Sequence, residues 1–282
     1  EVKGRIASVN NTRKITSAMK MVASAKLHKA QAAIESMLPY ERRLHHILTD
    51  FMSNCTEVTS PFIVKREVKK VAVVVFASNT SLCGGFNANV IRHLVDLLAE
   101  YKPLGLENIL VFPVGKKVAD AVRKLGFRIE GDFQHMADKP SYQEAADLAA
   151  DLMKRFLHGD VDKVELLYNH FKSTASQILT RETYLPIDLN NEKKEEERTI
   201  DYILEPSAEE LMQEMLPKVL RMKMFTVLLD SNAAEHAART MAMQIATDNA
   251  NELLQELTVM YNKSRQQSIT NELLDIVGGS MA

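Results

Sequence analysis

Between residue 2 and about residue 52, apolar side chains recur at spacings of three and four, with Gly4 and Pro39 the only helix-breaking residues. That period predicts one long helix. Ala30, Ile34, Met37, Glu41, Leu44, Leu48 and Phe51 follow a heptad seam with a single polar break at Glu41. Upstream, Ile15, Ala18, Met19, Val22 and Ala25 are expected to continue the stripe with small side chains, so that a partner helix comes close. Pro39 lacks a backbone donor and is expected to kink the helix or divide it. From Ser207 to Val277 there is again no Gly, and Pro217 is the single Pro. Ser207 is the expected N-cap, with Glu209 and Glu210 in the first turn. Ala242, Ala246, Ala250, Leu253, Leu257 and Met260 predict the seam of this second helix, with Ala234, Ala238, Met241 and Ile245 in a shifted phase. A helix of that length spans about 105 Å, more than any compact domain of this chain.

The middle of the chain has a different pattern. KKVAVVVFAS (69 to 78) and NILVFPVG (108 to 115) are short apolar runs closed by turn residues, and 161 to 171 and 177 to 187 read as two further strands. Helical periods fall at 88 to 101, 116 to 125 and 141 to 157. This alternation predicts a mainly parallel α/β sheet. The fold class is therefore α/β plus a long helical coiled coil, an antiparallel pair of terminal helices with the α/β domain inserted. The expected parts are 1–57 (N-terminal coiled-coil helix), 68–205 (α/β foot) and 207–278 (C-terminal coiled-coil helix). Asn190 to Arg198 reads as a charged, solvated loop.

Composition fits this picture. The 282 residues are 46% hydrophobic and 26% charged, with no Trp and 14 Met, a balance that excludes global disorder and favours helix. Cys55 and Cys83 form no zinc or disulfide pattern. No apolar run is long enough for a membrane span, and the first residues lack the apolar core of a signal peptide. The sequence opens on Glu1, which leaves room for residues removed before it. Net charge is only −2, but it is unevenly placed. Residues 1 to 34 carry +6, from Lys3, Arg5, Arg13, Lys14, Lys20, Lys26 and Lys29 against Glu1, whereas residues 192 to 214 carry −6. A basic helix alternating with small Ala and Met suits acidic protein surfaces. A nucleic-acid arm is the alternative, without aromatic interleaving to support it.

Candidate chemistry is sparse. Ser81 to Asn87, SLCGGFN, follows the first strand and precedes a helix, where α/β folds place phosphate loops. It matches neither GxGxxG nor GxxxxGK[ST]. The other reading has Gly84 and Gly85 supply positive φ for a tight turn, with Asn87 capping the helix. A small nucleotide-binding enzyme with helical arms is thus the runner-up. The eight histidines make no metal pattern, His45 and His46 being adjacent and Glu235-His236 lacking the second His of HExxH. No catalytic residue, cofactor or metal is assigned.

NNTRKITSAMKMVASAKLHKAQ (10 to 31), SLCGGFNANV (81 to 90), LYNHFKSTASQ (167 to 177) and the run from Glu235 to Gly279 resemble, in order and over the whole chain, the gamma subunit family of the rotary F-type ATP synthase. The resemblance implies a non-catalytic central shaft. Its coiled coil sits in a hexamer of alpha and beta subunits, and its foot contacts the membrane c-ring and the epsilon subunit. It implies a collar at Lys14, Met19, Lys20 and Arg239 facing the beta subunits, and a polar catch on them at Arg265, Gln266, Thr270 and Glu272. Tyr202 and Glu205 match foot positions against the c-ring. The location implied is the cytoplasmic face of a bacterial plasma membrane, within the complex and in one copy. Two departures stand out. Asn79, Thr80 and Ser81 replace the family's Asp-Arg-Gly before LCGGFN, and the cysteine-bearing insertion of chloroplast members is missing.

Overall fold

The computed structural model describes residues 1–54, 60–187 and 208–280. Helix α1 runs Val2–Asn54 and α6 runs Ala208–Ser280, 53 and 73 residues, or about 80 Å and 110 Å at 1.5 Å per residue. Between them lie β1 (Val71–Phe76), α2 (Phe86–Tyr101), β2 (Ile109–Val114), α3 (Lys116–Leu125), β3 (Arg128–Ile129), α4 (Gln134–Asp138), α5 (Tyr142–His158), β4 (Lys163–Ser173) and β5 (Ser176–Leu185). The two long helices pack antiparallel. Thr16 meets Thr247 at 2.9 Å, Lys20 meets Gln244 at 2.6 Å, and Leu27 and Ala30 bury against Ala237 and Ala233. As residue numbers rise on α1 they fall on α6.

The contact face matches the expected one at Ala30, Ile34, Met37, Ala250 and Leu257 and differs elsewhere. On α1 the buried positions are Thr16, Ala23, Leu27 and Ala30, while Ile15 and Val22 are 60% and 58% exposed and Ala18 and Ala25 also face solvent. On α6 the seam runs through Met243, Thr247, Ala250, Leu254 and Leu257; Leu253 and Met260 point outward, as do Met241 and Ile245. Apolarity misled here because the seam itself carries threonine, glutamine and lysine. Hydroxyls that bond across the interface and to the carbonyl one turn back are satisfied there, so they fit a thin contact as well as a methyl does. Ala234 and Ala238 are buried, against the α/β domain. Helix α1 continues through Pro39 undivided, and α6 through Pro217. Ser207 and the charged segment 190–198 lie outside the described residues.

The sheet has the order β3-β2-β1-β4-β5, parallel except for the β4–β5 hairpin. Every residue of β1 and β2 is buried, as expected of parallel strands covered on both faces. One face, with Val71, Val73 and Val75, packs under α2 and α3. The other, with Ala72, Val74 and Phe76, packs under α5 and the lower half of α6, from Met212 to Leu229, with Ile34 and Met37 of α1 at its margin. The α/β domain thus uses the long helix as part of its own core. Gly115 holds the turn after β2; with φ at 112°, a Cβ there would lie 2.2 Å from the Ala77 carbonyl oxygen.

One buried charge cluster staples the antiparallel hairpin. Glu165 on β4 sits between Lys163, at 2.6 Å, and Arg181 on β5, at 3.0 Å; Arg181 also reaches Glu100 of α2 at 2.8 Å. Burial alone pushes the Glu165 carboxyl up, but the hydrogen bonds and charges of Lys163 and Arg181 outweigh it and hold it below the usual carboxylate range.

The close helix contact predicts a specific sensitivity. Ala237→Leu forces added methylenes into a fully buried contact and is expected to cost about 1–3 kcal/mol. Ala25→Leu, on the outward face, is expected to stay within about 0.5 kcal/mol. Urea unfolding of the two variants separates them; equal midpoints would mean that the helices are not in this register.

Candidate functional site

The surfaces available for function are the outer faces of the α1–α6 pair and its junction with the α/β domain. At the level where α1 residue 20 meets α6 residue 244, Lys14 is exposed and Met19 and Lys20 are half-buried. The Lys20 ammonium is held by Gln244, which in turn donates to Asp248 at 2.9 Å. Next to these cations lies the outward apolar face of Ile15, Met21 and Val22. The rod therefore presents basic and apolar groups side by side.

Arg239 is turned inward. Its side chain is 11% exposed; one guanidinium nitrogen donates to the Ser81 carbonyl and the other to Glu235 at 2.6 Å. Glu235 is itself buried, and burial pushes its carboxyl up, with Arg239 only partly opposing the shift. Beside it, His236 is 7% exposed with Nδ1 unpartnered. Its pKa is lowered to about 4, by burial first and then by the positive charges of Lys26 and Arg239. None of the three signals is visible in a motif; the trace left in the sequence is an acid and a base four apart in an otherwise alanine-rich run, EHAAR.

The SLCGGFN loop is spent on packing. Cys83 and Phe86 are buried against Ala234 and Ala238, and a Cβ at Gly84 would sit 3.8 Å from that of Ala242. Gly84 has the expected positive φ of 58°, but Gly85 does not, at −79°; Leu82 takes the second left-handed position, at 68°. Asn87 is not the helix cap. It lies inside α2, accepts from the Ser78 backbone at 3.1 Å and donates to Ser78 Oγ at 2.8 Å, tying the strand end to the helix start. Asn79 bridges further, donating to the Gln134 carbonyl and accepting from the Lys116 backbone, both at 2.8 Å. A phosphate loop needs open backbone donors; this loop has its inner side filled by α6.

Arg265, Gln266, Thr270 and Glu272 all lie exposed near the free end of α6, with Arg265 about 39 Å beyond Arg239 along the helix. Arg265 and Glu272 are one heptad apart and share a face; Gln266 and Thr270 are one turn apart on the neighbouring face. Thr270 Oγ1 donates back to the Gln266 carbonyl at 2.9 Å, which leaves its lone pairs outward. Past Tyr261 every described side chain of α6 is exposed, including Ile269, Leu273, Leu274 and Ile276. Tyr202 and Glu205 lie outside the described residues. Among the described residues no cluster of three His, Cys, Asp or Glu has metal-ligand geometry, and no helix is long and apolar enough to cross a membrane.

This architecture has known counterparts. The family model described as ATP synthase matches residues 1–282. An ATP synthase gamma chain from Phocaeicola vulgatus is 82% identical over 284 residues, covering all of this chain and 98% of that protein. The chain belongs to the ATP synthase gamma chain family. The gamma chain of Bacteroides fragilis is 64% identical over 285 residues, again with 100% and 98% coverage. The fold is shared with the Tetrahymena thermophila mitochondrial ATP synthase central stalk and c-ring structure, at a TM-score of 0.59 and 22% identity over 82% of this chain and 99% of that one. It is shared also with the Euglena gracilis mitochondrial ATP synthase rotor, at 0.60 and 18% over 95% and 97%. Gamma-family membership makes the chain a subunit of the ATP synthase complex.

His236 gives the junction a pH signature. Its pKa is lower folded, about 4, than unfolded, about 6.5, so the unfolded chain binds the extra proton between those values and stability falls as pH drops through the window. The loss is expected to be roughly 2–3 kcal/mol. Glu235 has the opposite sign, its raised carboxyl favouring the fold at low pH. His236→Gln should flatten the acid-side decline in urea midpoints between pH 6.5 and 4.5; an unchanged slope assigns the decline to other groups.

Proposed function

We propose that this chain is the central shaft of the synthase, a non-catalytic subunit that carries torque between a membrane ion-driven ring and the catalytic alpha/beta hexamer. Residues 1–57 and 207–278 form the shaft and 68–205 the foot, which meets the c-ring and the epsilon subunit. The observation that carries this reading is the continuity of α6, one helix that is part of the α/β domain's core at one end and an exposed rod at the other. Such an element has no use for its outer apolar face unless something surrounds it. The names of the similar proteins, gamma chains and rotor or central-stalk structures, point the same way.

The mechanism follows from asymmetry. A rod with basic and apolar groups on one face and polar groups on another makes different contacts with each of three equivalent catalytic partners at any given angle. Each angle then favours a different set of open and closed states, which is a coupling free energy between rotation and nucleotide affinity. Moving a partner from 1:99 to 99:1 takes a differential of about 5.5 kcal/mol, within reach of a few desolvated charge-assisted hydrogen bonds and an apolar contact. Lys14, Met19, Lys20 and Arg239 are the proposed collar, and Arg265, Gln266, Thr270 and Glu272 the proposed catch on the beta subunits; Tyr202 and Glu205 are proposed for the c-ring side. The non-catalytic reading is supported by the use of the SLCGGFN loop for packing. The working location is the cytoplasmic face of a bacterial plasma membrane, held there by the other subunits.

The test is reconstitution with purified alpha and beta subunits. One copy of this chain should enter each hexamer and raise ATP hydrolysis; a chain that stays free, or that binds ATP tightly alone, sinks the reading. Within the assembled complex, Arg265→Ala with Gln266→Ala should lower ATPase roughly tenfold, the loss of one or two charge-assisted hydrogen bonds, while assembly persists. Unchanged turnover removes the catch.

A further inference from the structure

The α/β domain grips α6 by side-chain hydrogen bonds to backbone at four levels. Tyr184 donates to the Leu220 carbonyl at 2.8 Å, Asp230 accepts from the Phe171 backbone at 2.8 Å, and Asn232 donates to the Ala137 carbonyl at 2.9 Å. The uppermost is Arg239 on the Ser81 carbonyl. There the loop also packs through Cys83 and Phe86 against Ala234 and Ala238, and Gly84 faces Ala242. We infer that Arg239, oriented by Glu235, is a positioning residue that latches the 79–85 loop to α6 and thereby sets where the stiff foot ends and the free rod begins. The inference rests on the shaft reading above and gives Arg239 a task inside the chain, distinct from any partner contact.

The consequence is mechanical. With the latch closed, the unsupported pair runs from Ala242 to Tyr261, about 29 Å. With it open and the loop no longer held against Ala234 and Ala238, the last polar anchor is Asn232 and the free span grows to about 44 Å. Twist of a uniform rod under thermal load scales with free length, so angular variance should rise by up to about 1.5-fold. Glu235 matters because its carboxylate fixes the second guanidinium nitrogen, leaving the first aimed at Ser81.

The experiment uses the assembled hexamer with a bead attached at exposed Lys124 through non-cysteine chemistry, reading angular variance during pauses, with ATPase measured in parallel. Arg239→Ala should broaden the variance toward 1.5-fold, and Arg239→Lys should recover part of it. Because Arg239→Ala leaves a buried carboxylate unpaired, Glu235→Gln with Arg239→Ala serves as the second variant and should broaden equally. Ala238→Cys, beside the native Cys83 in the loop contact, then supplies a covalent latch in a Cys55→Ser background. Oxidation should return the variance of the Arg239→Ala protein to the wild-type value, and reduction should release it. A variance insensitive to Arg239→Ala and to the double variant overturns the inference, as does a broadening that the closed disulfide leaves untouched, which would place the role of Arg239 on a partner. Failure of the shaft reading itself is separable, since the wild-type complex would then not rotate.

Discussion

The structure depends on how closely α1 and α6 approach. Two helices meet at 8–10 Å according to the side chains between them, and here those are mostly alanine and threonine, with Ala233 and Ala237 fully buried against Leu27 and Ala30. Such a contact buries little area per turn. It is stabilised by length and by polar pairs that fix register, Thr16 with Thr247 and Lys20 with Gln244. A bulky leucine seam would hold harder and be thicker. Slimness is what leaves the outward faces free for other subunits.

The α/β domain obeys the opposite rule. Its parallel strands are buried on both faces, and the long helix fills one of them. The rod is therefore not an appendage on the domain: the lower part of α6 is core and the upper part is surface, with no break in the backbone between the two. The polar ties at 220, 230, 232 and 239 mark the passage from one regime to the other.

Much of this was legible in the sequence, and what was not has physical causes. The two long helices, four strands and three intervening helices followed from period and turn residues, because each is long or fully buried. The two-residue β3 and the five-residue α4 were missed, being too short to show a period. The upstream face of α1 was misassigned because the apolar Ile15 and Val22 face outward, whereas Thr16 and Lys20 line the seam. Of the residues marked for partners, the catch positions and Lys14, Met19 and Lys20 of the collar were reached through resemblance and sit on exposed or half-buried helix faces. The inward turn of Arg239 and the orphan imidazole of His236 needed the tertiary contacts of Ser81, Glu235 and Lys26, which no local pattern carries.

The dual use of α6 also sets a problem for biosynthesis. All five strands leave the ribosome before residue 208, yet one face of their sheet, Phe76 and Leu166 among it, is fully covered only when Met212 to Leu229 join α5 over it. A nascent chain must carry a partly covered apolar sheet face for the time it takes to translate that stretch, the kind of intermediate that aggregates or recruits chaperones. The order of synthesis, sheet first and lid last, makes ribosome pausing near the start of α6 a point of vulnerability for the whole subunit.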